Sequence, residues 1–500
     1  QVPLDHRWKK GQTQGMSKTN LKEKNPKNNA NEKRLYIENL GCAKNQVDAE
    51  VMAHNLNASG WQLVDDASKA DLIIVNTCGF IESAREQSID TFFSLRELNP
   101  KARLVVSGCL AQRYASELAD QLPEADGIFG NRDLSEINGF VDGLDGIDES
   151  QEEGHKTKTT KGPKSQLPKT VKQPKVKVLV PEYPDPDAES DERDRLFNFP
   201  GSAYLKISEG CNHRCGYCAI PLIRGSLRSR PTYAVLKEAK RLVSTGIKEI
   251  NLIAQDLAAY GTDWDGKSHF CDLLTSITAI EGDFKVRMLY IHPDAFPMEL
   301  LDIVKSNSKV IPYFDIPFQH ASPNILRPMK RTGSREVYSN LIDSIRREIP
   351  QCVIRTTVML GFPGETQEDF EEVYKFVEHC RFNWMGSFLY SREEGTYAWD
   401  LTNEEEHKAL IRKAKVWQRK LQRLQEKISS EKLNEFVGNE YDVLIEELIE
   451  GEDLAIGRIW AQAPEVDGLT VVMGRDMVPG NVYKCGITKV NGIDLEAVKI

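Results

Sequence analysis

The feature that most limits the fold of this chain is a unit that occurs three times near its N-terminus: an apolar run, a cysteine and a helical stretch. The runs and the cysteines that follow them are residues 35–39 with Cys42, 72–76 with Cys78 and 104–107 with Cys109. Residues 127–131 read as a fourth, shorter strand. Strands that alternate with helices predict a doubly wound parallel α/β sheet. We therefore expect an N-terminal domain of this kind over residues 34–141.

The three cysteines share one position, the turn that leads out of a strand. In a parallel sheet all such turns lie along the carboxyl edge, where ligands bind. Cys42, Cys78 and Cys109 are therefore expected to converge and to hold a cluster as three thiolates, with one iron left open. The alternative is three unrelated buried thiols, because unbridged cysteine is among the most buried residue types.

A second group of cysteines is far denser, since Cys211, Cys215 and Cys218 lie within eight residues. Iron–sulfur clusters are held by thiolates at such short spacings, and three ligands again leave one iron open. The alternative is a zinc loop that His213 or a distant cysteine completes. The other cysteines show no partner spacing and are expected in apolar cores: Cys271, Cys352, Cys380 and Cys485.

The composition excludes several classes of protein. Ten cysteines in 500 residues do not indicate a disulfide scaffold, so metal or redox chemistry in a reducing compartment, the cytoplasm, is expected. No apolar run approaches the ~18 residues of a membrane span, and no apolar signal-peptide core follows the N-terminus, which predicts a soluble protein. A net charge of −10 argues against a protein that coats nucleic acid non-specifically.

Two polar segments interrupt the apolar patterns. Residues 1–33 are rich in Asn and Lys and are expected to form a disordered tail. Residues 142–196 contain an acidic stretch, eight lysines and a run with frequent proline, which predicts a flexible charged linker. Contact of these lysines with RNA is the alternative.

Strand–helix alternation resumes over residues 197–400 with a longer period. The candidate strands are residues 203–207, 249–253, 286–291, 310–316, 352–360 and 384–390. They predict a partial or complete parallel (β/α) barrel, in which the chemistry lies in the loops after the strands. The three-cysteine loop follows the first strand, and polar residues follow the others. Any single one of these, such as His292 or His320, can equally be a structural residue.

The last hundred residues have a different sequence pattern. Residues 401–437 begin with a capping box at Thr402 and Glu405 and predict a long bridging helix, with a coiled coil as the alternative. Short strands and turns over 438–500 predict a small antiparallel β-barrel of the oligonucleotide-binding type. This segment carries twelve acidic and five basic side chains, an excess of seven negative charges. Such a surface would repel RNA phosphate and attract a basic protein.

The order of these modules resembles the methylthiotransferases, radical S-adenosylmethionine enzymes that insert a methylthio group into an unactivated C–H bond. The resemblance covers residues 34–500 apart from the linker, and in this family the terminal barrel is called a TRAM domain. The motifs that carry it are Gly41-Cys42-Ala43-Lys44-Asn45-Gln46-Val47-Asp48-Ala49-Glu50, Cys211-Asn212-His213-Arg214-Cys215, Phe318-Gln319-His320-Ala321-Ser322 and Tyr390-Ser391-Arg392-Glu393-Glu394-Gly395-Thr396. They are similar to the RimO type, which modifies ribosomal protein S-twelve. The tRNA-modifying MiaB type usually has Gln-Met-Asn in place of Ala43-Lys44-Asn45.

The resemblance implies a role for each cysteine group. Cys42, Cys78 and Cys109 would bind an auxiliary 4Fe–4S cluster, and Cys211, Cys215 and Cys218 the radical-generating one. One S-adenosylmethionine would give its methyl group to a sulfur at the auxiliary cluster. A second would be cleaved to the radical that removes a hydrogen from the β-carbon of an aspartate. No general acid or base is expected, because the cofactors carry this step.

The resemblance also implies contacts and partners. Gln255, Asp256, Gln319 and Arg355 are expected to contact S-adenosylmethionine. The partners would be S-twelve or the small ribosomal subunit, an electron donor of the flavodoxin or ferredoxin type, and a sulfur donor, with no membrane. The nearest alternative is a tRNA methylthiotransferase that modifies the adenosine next to the anticodon. More distant alternatives are an iron–sulfur scaffold or RNA-binding module without enzymatic activity, and a zinc protein.

Overall fold

The computed structural model describes residues 33–144, 176–181 and 193–500, which divide into two compact units, Gln1–Arg195 and Leu196–Ile500. The predicted tail, except for Lys33, and residues 145–175 and 182–192 of the predicted linker lie outside the described residues. Among the residues described, no helix has both the length and the apolar character needed to cross a membrane.

The first unit is built on a six-stranded parallel sheet. Its strands are β1 Lys33–Asn39, β2 Trp61–Leu63, β3 Leu72–Thr77, β4 Arg103–Gly108, β5 Gly127–Phe129 and β6 Lys177–Leu179. Its helices are Ala43–Ala58, Glu82–Leu98, Cys109–Arg113, Ala115–Gln121 and Ile137–Asp142, with a 3-10 turn at Ala67–Lys69. The strand order is β2-β1-β3-β4-β5-β6, and every pairing is parallel. The predicted parallel α/β domain is confirmed, and ligands are expected where the order reverses, between β1 and β3.

The core of this unit explains why the strand predictions succeeded. Every residue of β3 is buried, and Ile73 and Val75 pack with Leu104 and Val106 of β4. Phe92 of the helix Glu82–Leu98 covers the same cluster. Each such side chain contributes roughly 1.5–3 kcal/mol when it is buried. Continuous apolar runs of this kind are typical of strands that are covered on both faces.

The predicted linker differs from the structure at two places. β6 lies inside residues 142–196 and pairs with β5 from Gly127 to Phe129. Near the C-terminal end of the linker, Arg193 forms a fully buried ion pair with Glu50, and Asp194 lies 2.6 Å from Nδ1 of His54. Because β6 has only three residues and follows a run of lysines, the charge pattern concealed it.

The second unit begins with another six-stranded parallel sheet. Its strands are β7 Ser202–Lys206, β10 Glu249–Ile253, β11 Lys285–Met288, β12 Val310–Asp315, β13 Val353–Leu360 and β14 Trp384–Leu389. They pair in sequence order, and within residues 193–500 β7 and β14 are the two edges. The sheet is therefore open, so of the two predicted forms the barrel is the partial one. A short antiparallel pair, β8 Ser208–Glu209 and β9 Arg228–Ser229, follows β7.

Helices connect these strands and lead to the terminal barrel. They are Ile220–Arg224, Thr232–Ser244, Thr262–Asp265, Phe270–Thr278, Leu300–Ser306, Pro323–Leu326, Arg335–Glu348, Gln367–Cys380 and Glu404–Asn434, with 3-10 turns at Leu257–Ala259, Pro293–Ala295 and Tyr397–Leu401. The long helix is capped by Asn403, whose Oδ1 accepts from the N–H of Glu406 (3.0 Å), one residue later than predicted. Trp417 of this helix stacks on Phe370, so the helix packs on the sheet domain.

The terminal barrel is closed, but it is not wholly antiparallel. Its strands are β15 Glu440–Leu448, β16 Leu454–Arg458, β17 Thr470–Met473, β18 Val482–Asn491 and β19 Asp494–Lys499. They close in the order β15-β16-β17-β19-β18, and β17 pairs with β19 in parallel. The prediction of a wholly antiparallel barrel is wrong for this one pair, and the other four pairings are antiparallel. Strand directions cannot alternate around a closed ring of five strands, so one neighbouring pair must be parallel.

Candidate metal centres

Cys42, Cys78 and Cys109 lie at the carboxyl edge of the first sheet. Cys42 is the N-cap of the helix Ala43–Ala58, Cys78 follows β3, and Cys109 is the first residue of the helix after β4. Since β1, β3 and β4 are neighbours in the sheet, the three turns are neighbours too.

Two glycines allow these turns to touch. Gly41 has a φ of +109°, and a Cβ at this position would lie 3.2 Å from Cβ of Cys78. A Cβ at Gly79 would lie 2.7 Å from the backbone N of Leu110 and 2.8 Å from the carbonyl carbon of Cys109. The turns after β3 and β4 are thus in backbone contact, and the turn after β1 lies against the side chain of Cys78. The three cysteines differ in solvent exposure: Cys42 is exposed, Cys78 is half-buried and Cys109 is buried.

Two asparagines hold the buried thiol of Cys109. Its Sγ donates to Oδ1 of Asn45 (3.3 Å) and accepts from Nδ2 of Asn131 (3.3 Å). Nδ2 of Asn45 also donates to the carbonyls of Leu40 and Thr77, both at 2.9 Å, and so ties the turns after β1 and β3 together. The hydrogen bond from Asn131 is compatible with a thiolate at Cys109, and outer contacts of this kind orient a metal ligand. Asn131 was missed at the sequence level, although its place just after β5 put it at the same edge.

The second cysteine group lies on the loop that follows β7 and β8. The backbone of this loop is bound to three other segments: the N–H of Cys211 donates to Gly225 (3.1 Å), that of Gly216 to Met329 (2.9 Å), and the carbonyl of Gly216 accepts from Ala398 (2.7 Å). All three thiols are half-buried. The loop is therefore fixed by the protein itself, with its thiols along the carboxyl end of the sheet.

Burial keeps two of these thiols protonated in the absence of metal. It raises the pKa of Cys211 to about 11 and that of Cys218 to about 12, and the nearby Cys215 acts in the same direction. Metals bind the thiolate, so a metal that enters this site must displace protons.

His213 has a partner other than the cysteines. Its Nε2 lies 2.7 Å from Oδ2 of Asp256, and its ring stacks on His292 at 4.2 Å. Burial, with the charge of Arg331, lowers the pKa of His292 to about 3, so that ring is neutral. Within the described part of the chain, no three His, Cys, Asp or Glu side chains are arranged to hold a single metal ion.

Gln255 and Asp256, two predicted contacts to S-adenosylmethionine, lie beside the cysteine loop. Asp256 is buried and accepts from the N–H groups of Ala258 and His292, both at 3.0 Å. Nε2 of Gln255 donates to Glu209 (2.9 Å), while its Oε1 is buried without a hydrogen-bond partner among the described residues. A buried acceptor without a donor fits a ligand that brings one, such as the amino group of S-adenosylmethionine.

The two other predicted contacts lie along β13. Gln319 has a φ of +70°, and its backbone N–H and C=O bond to Thr357 (2.8 Å) and Met359 (2.7 Å). Arg355 is paired with two carboxylates, Asp315 at 3.1 Å and Asp467 at 3.4 Å. Its contact with S-adenosylmethionine stays a prediction. His320 is buried and held by the chain itself, because its Nδ1 accepts from the N–H of Ser322 (3.0 Å) and its Nε2 lies 3.3 Å from Oε1 of Glu365.

Glu209 is a site residue that the sequence analysis missed. It accepts from Lys206 (3.0 Å), Arg224 (2.9 Å) and Gln255. Although burial opposes it, the charges of Arg224 and Lys206 lower the pKa of Glu209. Its position at a strand end, two residues before Cys211, was the sequence signal that could have identified it.

The half-buried thiols of the cysteine loop lie beside the Gln255 oxygen, which has no hydrogen-bond partner among the described residues. Together they fit a three-thiolate cluster with a ligand on its open iron.

Three family models match successive parts of the chain. "Uncharacterized protein family UPF0004" matches residues 34–130, "Radical SAM superfamily" residues 205–377 and "TRAM domain" residues 437–500. Among solved structures, the radical S-adenosylmethionine methyltransferase TsrM from Kitasatospora setae superposes with a TM-score of 0.49 at 14% identity, over 74% of this chain and 74% of that chain.

Relatives at higher identity cover nearly the whole chain. The ribosomal protein uS12 methylthiotransferase RimO of Treponema denticola is 43% identical over 92% of this chain and 99% of its own length. The protein of the same name from Clostridioides difficile is 39% identical, over 89% and 93% respectively. That of Thermotoga maritima is 39% identical, over 89% and 95%. The chain therefore belongs to the ribosomal protein uS12 methylthiotransferase family, RimO, within the radical S-adenosylmethionine enzymes.

Proposed function

We propose that this chain transfers a methylthio group to the β-carbon of an aspartate in ribosomal protein uS12, using S-adenosylmethionine. The observation that carries the proposal is the presence of two separate cysteine triads, each at the carboxyl edge of a parallel sheet. Its relatives bear the name of this activity over almost their full length. They favour uS12 over the tRNA alternative.

The six cysteines are the proposed ligands of two 4Fe–4S clusters. Bound there, the clusters would supply the electron needed to cleave S-adenosylmethionine and an open iron to hold the sulfur. The residues of the chain bind and orient: the cysteine loop is fixed by Met329 and Ala398, and Gln255 presents a buried acceptor beside it. The clusters are needed because an unactivated C–H bond has no usable acidity for a general base.

The surface of the terminal barrel supports a basic protein as the substrate. Its exposed acidic side chains are Glu440, Asp442, Glu447, Glu450, Glu452, Asp453, Glu465 and Asp476. Its exposed basic side chains are Arg475, Lys484 and Lys489. The excess of negative charge in this segment thus lies on the surface. Ribosomal proteins carry positive charge because they bind RNA phosphate, so such a surface attracts them and repels tRNA. An electron donor of the flavodoxin or ferredoxin type and a sulfur donor stay predictions.

The test is anaerobic turnover of the iron-reconstituted chain with S-adenosylmethionine and dithionite, with uS12 and unmodified tRNA offered together. Mass spectrometry would look for replacement of one hydrogen by SCH3. We expect this change on an aspartate of uS12 alone. The change on tRNA alone would overturn the substrate and the charge argument. 5′-Deoxyadenosine without modification of either would overturn both substrates while leaving the radical chemistry in place.

A further inference from the structure

Residues 459–467, in the loop between β16 and β17, contact four of the six strands of the open parallel sheet. We call this segment the barrel loop. The carbonyl of Trp460 accepts from Nη1 of Arg287 on β11 (2.9 Å), and that of Ala461 accepts from Nε1 of Trp384 on β14 (2.8 Å). The contacts to the two strands between them, β12 and β13, are made by one side chain at the end of the loop.

That side chain is Asp467, which is 1% exposed. Its Oδ2 accepts from the hydroxyl of Tyr313 on β12 (2.5 Å) and from the N–H of Ala463 (2.8 Å). Its Oδ1 has no hydrogen-bond partner in the described residues, and Nε of Arg355 on β13 lies 3.4 Å away. A carboxylate of the terminal barrel is thus buried against an arginine of the sheet.

Arg355 carries this contact to the end of β12. Its Nη1 donates to Oδ1 of Asp315, the last residue of that strand (3.1 Å). Oδ2 of Asp315 accepts from the N–H of Tyr290 (3.2 Å), and its backbone carbonyl accepts from the N–H of Ile291 (2.9 Å). One carboxylate therefore joins Arg355 to the turn that follows β11.

This turn is strained and adjoins the cysteine loop. Tyr290 has a φ of +70°, in the left-handed region that residues with side chains rarely adopt. Its carbonyl accepts from the N–H of Leu257 (3.0 Å), and two residues on, the N–H of His292 donates to Asp256, the partner of His213. A strained backbone persists only where its surroundings hold it, and such strain clusters at functional sites.

We propose that Asp467 and Arg355 are positioning residues which, acting through Asp315, hold the turn at Tyr290 in the conformation that the S-adenosylmethionine site requires. With Asp467 neutral, the guanidinium is drawn towards Asp315 alone, and the carboxylate that binds the turn shifts with it. The terminal barrel then supports the cofactor site in addition to its role towards the substrate. The inference rests on the proposed function only where it assigns S-adenosylmethionine to this site.

Two variants and one control isolate this role. Asp467→Asn keeps the size of the side chain and an oxygen that can accept from Tyr313, but it removes the negative charge beside Arg355. Arg355→Lys keeps a positive charge and loses the planar fork that binds two carboxylates. Glu348→Gln is the matched control, because it neutralises a carboxylate whose ion pair with Lys305 (2.7 Å) lies on the exposed outside of the same unit.

The first measurement is amide hydrogen exchange of the full-length protein before cluster reconstitution. We expect exchange at Tyr290 and Ile291 to rise about tenfold in Asp467→Asn and Arg355→Lys, and not in Glu348→Gln. Unchanged exchange at this turn in both variants would overturn the proposal. So would a rise of the same size throughout the second unit, which would mean general destabilisation.

The second measurement uses the reconstituted proteins at equal iron content. We expect the dissociation constant for S-adenosylmethionine to rise about threefold to tenfold in both variants. We also expect less methylthiolated uS12 for each 5′-deoxyadenosine formed. Wild-type affinity together with a wild-type product ratio would overturn the proposal. Failure of the proposed function looks different, since the wild type itself would then leave uS12 unmodified while hydrogen exchange would still separate the variants from the control.

Discussion

Arg458 of the terminal barrel and Glu249, the first residue of β10, form a buried ion pair in which Nη1 of the arginine lies 2.9 Å from Oε1 of the glutamate. Glu249 also binds Arg287 at 3.0 Å, and Arg458 also binds Glu446 at 2.6 Å. Two carboxylates and two guanidinium groups thus balance each other where the barrel meets the sheet. Each charge has been taken out of water and depends on the others for compensation.

Glu249→Gln is expected to lower the free energy of unfolding by about 3–5 kcal/mol, because it leaves two buried arginines with one carboxylate. Urea unfolding of the full chain would measure it. Glu348→Gln, the same substitution in an exposed pair, should leave the unfolding curve unchanged within error. Equal curves for the two variants would show that the buried network does not hold the barrel to the sheet.

The stability of the second unit should depend on the charge of Asp467. Burial raises the pKa of this carboxyl from its ordinary value of 3.8 to about 6. Between these values the folded state binds more protons than the unfolded state, so this group's contribution falls as the pH rises from about 4 to about 6. The loss amounts to about 3 kcal/mol. The stability of Asp467→Asn relative to wild type should rise over the same interval in urea unfolding, whereas a constant difference would refute the assignment.

The sequence was sufficient for features that follow from local pattern. The apolar runs located the main strands, and because strand ends in a parallel sheet share an edge, Cys42, Cys78 and Cys109 could be placed side by side. The predicted alternation also placed Gln255 and Asp256 after β10, next to the loop of Cys211.

Other features depend on pairing between distant parts of the chain. Arg355 and Asp467 are more than a hundred residues apart, and no spacing or periodicity in the sequence links them. The parallel pairing of β17 with β19 follows from the closure of the barrel, which no strand reveals by itself. β6 is too short for its alternation to be visible beside the lysines. The long helix begins one residue later than predicted, because asparagine is at least as favourable an N-cap as threonine and Asn403 takes that position in place of Thr402.

The two cysteine triads should be separable by iron content and chemistry. Cys42→Ala and Cys215→Ala should each retain about half of the wild-type iron, since each removes a ligand of one cluster only. Cys42→Ala should still cleave S-adenosylmethionine, whereas Cys215→Ala should not. Iron analysis and 5′-deoxyadenosine quantification would measure these outcomes. Cys485→Ala, in the core of the terminal barrel, serves as the control and should keep the full iron content.

Gly41→Ala should damage the N-terminal triad. At a φ of +109° any side chain is strained, and the added Cβ would meet Cβ of Cys78 at 3.2 Å. Gly60→Ala is the matched control, because its φ is +90° and nothing lies within 4 Å of the added atom. Both should lose about 1 kcal/mol of stability from strain, and Gly41→Ala about 1–3 kcal/mol more from crowding. Only Gly41→Ala should lower the iron retained by a Cys215→Ala background, and equal iron in both double variants would disprove the contact.

Reversal of charge on the terminal barrel should weaken recognition of uS12 and leave the radical chemistry intact. Glu447, Glu450 and Glu452 are exposed around the turn between β15 and β16, and their joint replacement by Lys changes the local charge by six units. We expect kcat/KM for uS12 to fall about tenfold at low salt, and the difference from wild type to shrink as salt screens the surface. Formation of 5′-deoxyadenosine without substrate should not change. The control replaces Glu86, Glu97 and Glu117, exposed on helices of the first unit, by Lys. An equal loss in the control would mean that net charge, and not the barrel surface, governs the encounter.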